Sequence, residues 1–193
     1  MAHKGENMKG ITNILLAIFL LSVSSFAKSE DIDIRSYQLP KHGAIQFKVP
    51  KSWHAEVRQP PNSLPPTITF TPESGETFQV LLTIGFPLKK EDSPPDLTQL
   101  KSSVEHAAKE AQGQAVESHI EIKELNDRST VGYYFTATDK APNPGEFKYM
   151  TQGALKVGEL FPLFTILTNE GSNNVIAISL EMLKSAIQIQ NAP

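Results

Sequence analysis

Four histidines beyond the N-terminal segment have side chains suited to proton transfer or metal binding: His42, His54, His106 and His119. A preformed metal site on one strand or helix usually places two ligands at i, i+2 or i, i+4, and no two of these histidines have that spacing. The chain also contains no cysteine, which excludes thiol catalysis, cysteine–metal sites and disulfides. We therefore expect no metal ion and no cofactor.

Carboxylates that could act as general acids or bases fall into two groups. Glu30, Asp31 and Asp33 form an acidic cluster, and Glu121 and Glu124 flank Lys123 on a predicted exposed strand. The cluster is interpreted either as a partner-docking or cation-attracting tip or, as we favour, as a disordered and solvated start. Neither group has the desolvated surroundings that adapt a carboxyl group to acid catalysis.

Sequence motifs of several enzyme classes are absent. The chain has no G-x-S-x-G nucleophile elbow, no G-x-x-x-x-G-K-S/T phosphate loop and no G-x-G-x-x-G dinucleotide turn. We therefore predict a protein that is not an enzyme. The enzymatic alternative is an unrecognised hydrolase that uses His54 or His119 together with a nearby carboxylate.

The N-terminal segment is typical of a secretory signal. Residues 14–23 are a short apolar run with Lys4 and Lys9 before it, and Ser25 and Ala27 are small residues at the places that a signal peptidase requires. We predict a signal peptide at 1–27, cleavage near Ala27 and a bacterial periplasmic or secreted protein. Met8 is an alternative start, and an uncleaved anchor helix is an alternative to cleavage.

The remaining chain is interpreted as a short acidic lead at 28–42 followed by one domain at 43–193. Cleavage removes two lysines and one glutamate, so the net charge changes from −3 to −4. A weakly acidic surface lacks the positive field that nucleic acid or anionic lipid requires. We expect neither a nucleic-acid partner nor stable membrane insertion after cleavage.

Period-2 alternation around the single tryptophan predicts two strands that meet at a corner. Ile45, Phe47 and Val49 share a face up to Pro50, which cannot donate to a strand ladder. Alternation resumes at Trp53, and we expect Trp53, Ala55 and Val57 to point inward and His54, Glu56 and Arg58 outward. The tryptophan is thus predicted in the core and its histidine neighbour in solvent.

Two helices are predicted among the strands. The first follows Ser93 as cap, with Pro94 at the first helical position and Asp96 completing a capping box, and carries an apolar stripe from Leu97 to Ala111. The last helix begins near Asn174. Its predicted buried stripe consists of Ile176, Leu180, Leu183 and Ile187. Short connections between strands favour an antiparallel meander, so the fold class is α+β, a central antiparallel sheet flanked by helices on both faces.

Three side chains on neighbouring predicted strands could gather on a second face of the sheet: Tyr134, Met150 and Phe164. They would form either an apolar binding groove or the seat of a helix, and the second interpretation is favoured because large exposed apolar patches are uncommon. Candidate docking loops are marked by Pro60, Pro61, Lys89, Lys90, Pro142 and Pro144.

The order of these segments resembles the PsbP-like and Mog-like α/β sandwich superfamily, whose bacterial exported members include the DcrB-like proteins. The resemblance is carried, from about residue 43 to 190, by VPKSW, TITFTP, TFQVLLTIGF, DLTQL, VGYYFTA, MTQGALKVG and SLEMLKSAI. It implies a central antiparallel sheet with helices on both faces. It also implies action by binding another protein, such as a photosystem assembly or a small GTPase. The resemblance implies no family-wide catalytic set, and only Val49, Pro50, Trp53 and the closing helix correspond to framework positions of the family.

Together these patterns predict a non-enzymatic exported module that binds a protein partner, in cell-envelope assembly or stress tolerance. A carrier of a small apolar ligand between sheet and helix, using Tyr134, Met150 and Phe164, is the second hypothesis. The hydrolase is the third.

Overall fold

The computed structural model describes residues 31–62, 64–89, 91–169 and 173–190. The predicted signal peptide, its cleavage site near Ala27, Met8 and the candidate docking residue Lys90 lie outside the described residues. The described elements, in chain order, are β1 Ile32–Leu39, β2 Gly43–Pro50, β3 Trp53–Arg58, β4 Thr67–Pro72, β5 Gln79–Gly85, α1 Leu97–Ala111, β6 Lys123–Asn126, β7 Thr130–Thr138, β8 Tyr149–Val157, β9 Phe161–Thr168, α2 Asn173–Lys184 and β10 Ile187–Ile189.

The strands form two antiparallel sheets. The larger has seven strands in the order β3-β4-β5-β9-β8-β7-β6, and the smaller has three in the order β1-β2-β10. Pro50 ends β2, and the Lys51–Ser52 turn then carries the chain from the small sheet into the large one at Trp53. The predicted α+β class with antiparallel strands is confirmed, but there are two sheets where one central sheet was expected.

Different layers cover the two faces of the seven-stranded sheet. Along β8, Ala154 belongs to a core cluster with α1, whereas the next residue, Leu155, belongs to a second cluster with β2 and α2. Since successive side chains of a strand alternate between faces, α1 packs on one face while the small sheet and α2 cover the other. The predicted arrangement of helices flanking both faces is therefore not confirmed, because a second sheet occupies much of one face.

Trp53 lies in the larger core cluster, as the alternation predicted. Its side chain is 3% exposed, and its ring centroid lies 4.8 Å from that of Phe78 and 6.3 Å from that of Phe70. His54 is exposed, also as predicted. Val57 was expected to point inward, but it is 49% exposed. The reason is that β3 is the edge strand of its sheet, so the core no longer covers the far end of the strand.

The segment interpreted as a solvated acidic lead contains a regular strand. β1 pairs with β2 along its whole length, from Ile32 opposite Pro50 to Leu39 opposite Gly43. The expectation of a disordered start was therefore wrong for Asp31 and Asp33 of the acidic cluster, and Glu30 lies outside the described residues. Arg35 explains part of this order, because its guanidinium donates to the backbone carbonyls of Trp53 at 2.6 Å and Pro50 at 3.3 Å and so ties β1 to the corner.

The helices begin and end close to their predicted positions, with two corrections. The cap of α1 is Asp96 and not Ser93. The Asp96 carboxylate accepts from the Gln99 N–H at 2.8 Å, and the Gln99 side chain accepts from the Asp96 N–H at 2.9 Å. Ile187, predicted on the buried stripe of the last helix, lies in β10 beyond the end of α2. Neither helix in the described ranges is long and apolar enough to cross a membrane.

Candidate docking site

The outer face of the three-stranded sheet exposes four isoleucines. We call this surface the isoleucine face; it consists of Ile32 and Ile34 of β1 and Ile187 and Ile189 of β10, which are 49%, 62%, 37% and 42% exposed. The strand register places them on one side of the sheet, since Ile34 lies opposite Lys48 and Ile187 opposite Gln46, two residues of β2 with the same parity. The residues of β2 that alternate with these two, Ile45, Phe47 and Val49, point to the opposite face of the sheet and are buried.

A groove of about 980 Å³ adjoins this face where β2 meets α2. It exists because β10 is only three residues long and pairs with Ala44 to Gln46, so that beyond this point α2 flanks β2. The Ser185 hydroxyl accepts the Lys48 N–H at 2.9 Å, which closes the strand edge there. The groove wall on the helix side is formed by Ala177, Ile178, Glu181 and Met182.

Both charge signs occur around the groove. Lys48, Arg128 and Lys184 lie in its lining together with Asp127 and Glu181. The Lys184 ammonium contacts the Glu181 carboxylate at 2.7 Å, and both side chains retain solvent contact. An apolar floor with a mixed polar rim is the usual anatomy of a protein–protein contact.

The predicted groove of Tyr134, Met150 and Phe164 is not formed. Tyr134 and Phe164 both lie opposite Gly153, from the two strands that flank it, and therefore share its face. Met150 is three residues from Gly153 along the same strand and points to the other face. Phe164 is 1% exposed within the larger core cluster, while Met150 packs with the cluster of α1.

Met150 instead lines a separate pocket beside α1. The α1 pocket has a volume of about 460 Å³. Its apolar lining consists of Ala111, Ala115, Ala137, Phe147, Met150 and Leu167. The connection between β7 and β8 forms its mouth, and Asp139, Glu146 and Lys148 supply the polar groups there.

The predicted docking loops lie at two opposite ends of the large sheet. Pro60 and Pro61 follow β3, and Lys89 follows β5, at the end where Arg58 pairs with Thr67 and Thr67 with Thr83. Pro142 and Pro144 lie between Thr138 and Tyr149, at the end where Tyr149 pairs with Thr168. The loops therefore do not combine into a single surface.

The histidines considered for catalysis lie apart from the groove. His54 and His119 are exposed, and His106 contacts Glu110 at 3.3 Å on the exposed side of α1. His42 stacks on Phe86 with a centroid distance of 4.3 Å. Within the described residues no group of three His, Cys, Asp or Glu side chains is arranged to hold a metal ion. Of the acidic cluster, Asp31 contacts Lys51 and Asp33 contacts Arg35, at 3.8 and 3.7 Å.

Among the described residues, three titratable groups have shifted pKa values, each with a local cause. Burial raises the pKa of Tyr37, which packs against Phe47 and Phe70, although the Arg35 charge partly opposes this. Desolvation would raise the pKa of Glu117, but hydrogen bonds from the Thr138 hydroxyl and backbone N–H outweigh it and lower that pKa. Hydrogen bonds from Asn143 lower the pKa of Glu146. Since the two carboxylates are thereby held ionised, neither resembles a general acid.

Sequence reasoning did not find the isoleucine face. Its signal was present, because Ile32 and Ile34 alternate with Asp31, Asp33 and Arg35 at strand period. The charged residues led to the segment being interpreted as a solvated lead, and the pairing of β1 with β2 was needed to reveal a strand.

Comparisons with known proteins identify the fold. No protein-family profile and no curated protein matches the chain. The solution structure of cyanobacterial PsbP (CyanoP) from Synechocystis sp. PCC 6803 matches with a TM-score of 0.50 and 12% identity, over 86% of this chain and 99% of that one. A crystal structure from Bacteroides thetaiotaomicron VPI-5482 matches with a TM-score of 0.49 and 9% identity, over 81% of this chain. This chain spans about half of the Bacteroides protein, 49% of its length. The match to CyanoP gives the chain a PsbP-like fold.

Proposed function

We propose that this protein is a non-enzymatic exported module that docks on a protein partner through the isoleucine face and the groove beside it. The observation that supports the proposal is the concentration of exposed isoleucines on one side of a three-stranded sheet. Four of the ten large apolar side chains that are exposed in the described residues lie on this face. Exposed apolar side chains concentrated on one sheet face beside a groove are characteristic of interaction sites.

The charges around the groove define the kind of partner. A rim that carries Lys48, Arg128 and Lys184 beside Asp127 and Glu181 suits a protein surface with both charge signs. Nucleic acid is a poor fit because the chain is acidic overall, with a net charge of −3. The signal-like segment supports export, and the PsbP/Mog and DcrB-like resemblance supports protein binding in the cell envelope.

Site-specific photocrosslinking tests the proposal. We expect a benzoylphenylalanine at position 189, on the isoleucine face, to yield one stoichiometric adduct with a single envelope protein. Leu163 is the matched control, because it is also an aliphatic strand residue, is 49% exposed, and lies on the α1 side of the large sheet. A second probe at position 46, opposite Ile187, reports on the same face when both isoleucines of β10 are changed. The double variant Ile187→Lys, Ile189→Lys should lose at least nine-tenths of the adduct from this probe, while its thermal unfolding stays unchanged. Equal adducts from positions 189 and 163, or none from either, would contradict docking on this face.

A second candidate function is transport of a small apolar ligand, and the α1 pocket favours it. Its volume of about 460 Å³ falls within the range of small-molecule sites, and its lining is mostly apolar with a few polar groups at the mouth. Native mass spectrometry of protein isolated from its host should then show a retained ligand mass. Ala111→Phe, which enlarges a side chain of the lining, should release that mass, whereas Ala107→Phe on the same helix should not. A retained mass that persists in Ala111→Phe rules out this pocket.

A further inference from the structure

β1 is an edge strand of the three-stranded sheet. Within the described residues no other strand pairs with it on its outer side. The strand is eight residues long and contains no proline. Long regular edges of this kind pair readily with another chain unless they are blocked. We propose that two copies of this protein pair through β1, antiparallel, about a two-fold axis at Ile34.

The orientation of the backbone groups follows from the bonds that β1 and β2 already make. The Lys48 N–H points away from β1, since it donates to Ser185, and the Lys51 N–H points toward β1, since it donates to the Asp31 carbonyl. In an antiparallel ladder such orientations alternate along each strand. Ile34, opposite Lys48, therefore directs its N–H and C=O to the open edge, as do Ile32 and Ser36.

This alternation allows a symmetric pairing centred on Ile34. Ile34 would exchange two backbone hydrogen bonds with Ile34 of the partner subunit, and Ile32 would exchange two with Ser36 of the partner subunit. The residues between these pairs would lie opposite each other without exchanging backbone hydrogen bonds. In such pairs the Cα atoms are closer and the two side chains are in closest contact. These place Asp33 opposite Arg35 of the partner subunit, and the two-fold axis repeats the contact.

Charge selects this register over its neighbours. An axis at Arg35 would set two arginines opposite each other. An axis at Asp33 would set two aspartates opposite each other beside two Asp31–Arg35 pairs, whereas the axis at Ile34 gives two pairs of opposite charge and none of like charge between residues 31 and 37. Opposite charges across an antiparallel pair stabilise it and like charges destabilise it. The Asp33 side chain is 55% exposed and that of Arg35 is 22% exposed, so both keep solvent contact while Arg35 also bonds the carbonyl of Trp53.

Pairing would join the two small sheets into one sheet of six strands. The isoleucine faces of the two copies would then become continuous, with Ile34 beside Ile34 of the partner subunit at the centre. The inference concerns the edge of β1, and it stands independently of any protein partner on the face.

Disulfide trapping tests the register directly, because the chain contains no cysteine of its own. Partners in a hydrogen-bonded antiparallel pair have Cα atoms about 5.5 Å apart, within the range of a disulfide. We expect Ile34→Cys in the full chain to oxidise to a covalent dimer. Ser36→Cys is the matched control, since its symmetry mate would lie four residues away along the partner strand, about 14 Å. Trapping through Ser36→Cys in place of Ile34→Cys would overturn the register.

Sedimentation of the full chain tests the pairing itself. We expect a dimer, and we expect Asp33→Arg to raise the dimer dissociation constant about tenfold or more, because it turns two opposite-charge pairs into like-charge pairs. Glu105→Arg, an exposed change of the same charge on α1, should leave the constant unaltered. A native chain that sediments as a monomer at about 100 μM overturns the pairing. An Asp33→Arg variant that dimerises as well as Glu105→Arg overturns its charge basis. Unchanged far-ultraviolet circular dichroism shows that the variants are folded, because loss of the dimer by itself lowers the unfolding temperature.

Discussion

Replacing Trp53 by alanine is expected to lower the free energy of unfolding by about 3 to 5 kcal/mol. The indole is 3% exposed and lies against Phe70 and Phe78, so truncation removes both its buried area and its aromatic contacts and leaves a cavity. Since no other tryptophan is present, the variant should be followed by far-ultraviolet circular dichroism during urea unfolding.

His54→Ala is the matched control for this prediction. His54 is the next residue on the same strand and is exposed, so we expect a change within about 0.5 kcal/mol. Retention of any activity or partner adduct by His54→Ala would agree with the absence of a catalytic role for this histidine. The placement of the indole in the core would be wrong if Trp53→Ala cost no more than His54→Ala.

Local alternation was sufficient to predict the core strands. In β2 and β5 the apolar residues recur at every second position, and those residues are the buried ones: Ile45, Phe47, Val49, Val80, Leu82 and Ile84. The same period placed Trp53 inside and His54 outside. It failed at Val57, because the sequence does not show how far the core extends under an edge strand.

Long-range pairing was the part of the fold that the sequence did not reveal. The division into two sheets depends on β10 joining β2 across more than 130 residues, with Ile187 opposite Gln46. Loop closure over such distances is decided by packing of the whole chain and not by local propensity. The predicted single sheet therefore failed at the Pro50 corner, although the corner itself was predicted.

The predicted groove of Tyr134, Met150 and Phe164 was wrong because the sequence does not show the register between neighbouring strands. The sequence shows which residues of one strand share a face, but the face that two strands share depends on their register. Gly153 lies opposite both Tyr134 and Phe164, which sets Met150 on the other side. A shift of one residue in both pairings would have been needed to bring Met150 to the face of Tyr134 and Phe164. The isoleucine face was missed for a related reason, because its two halves come from the first and last strands.

Arg35 shows how β1 became ordered despite its charged residues. Its guanidinium donates to the carbonyls of Trp53 at 2.6 Å, Pro50 at 3.3 Å and Lys51 at 3.4 Å. These carbonyls belong to the corner where the chain leaves the small sheet, and strand hydrogen bonds do not satisfy all of them. The planar fork of an arginine suits several acceptors at once, whereas a lysine ammonium does not.

We expect Arg35→Ala to lower the free energy of unfolding by about 2 to 3 kcal/mol, the usual range for a hydrogen-bonded charged group with part-buried partners. Arg35→Lys should recover less than half of this loss, because it restores the charge without the fork. Urea unfolding at one protein concentration, followed by Trp53 fluorescence, measures the free energy of unfolding of both variants. The probe lies at the site of the change, because Arg35 donates to the carbonyl of Trp53. Arg58→Ala, on the exposed edge of β3, is the control and should change the value by no more than about 0.5 kcal/mol. If Arg35→Lys were as stable as the native chain, charge alone would account for the effect, and the corner would not depend on the geometry of the guanidinium.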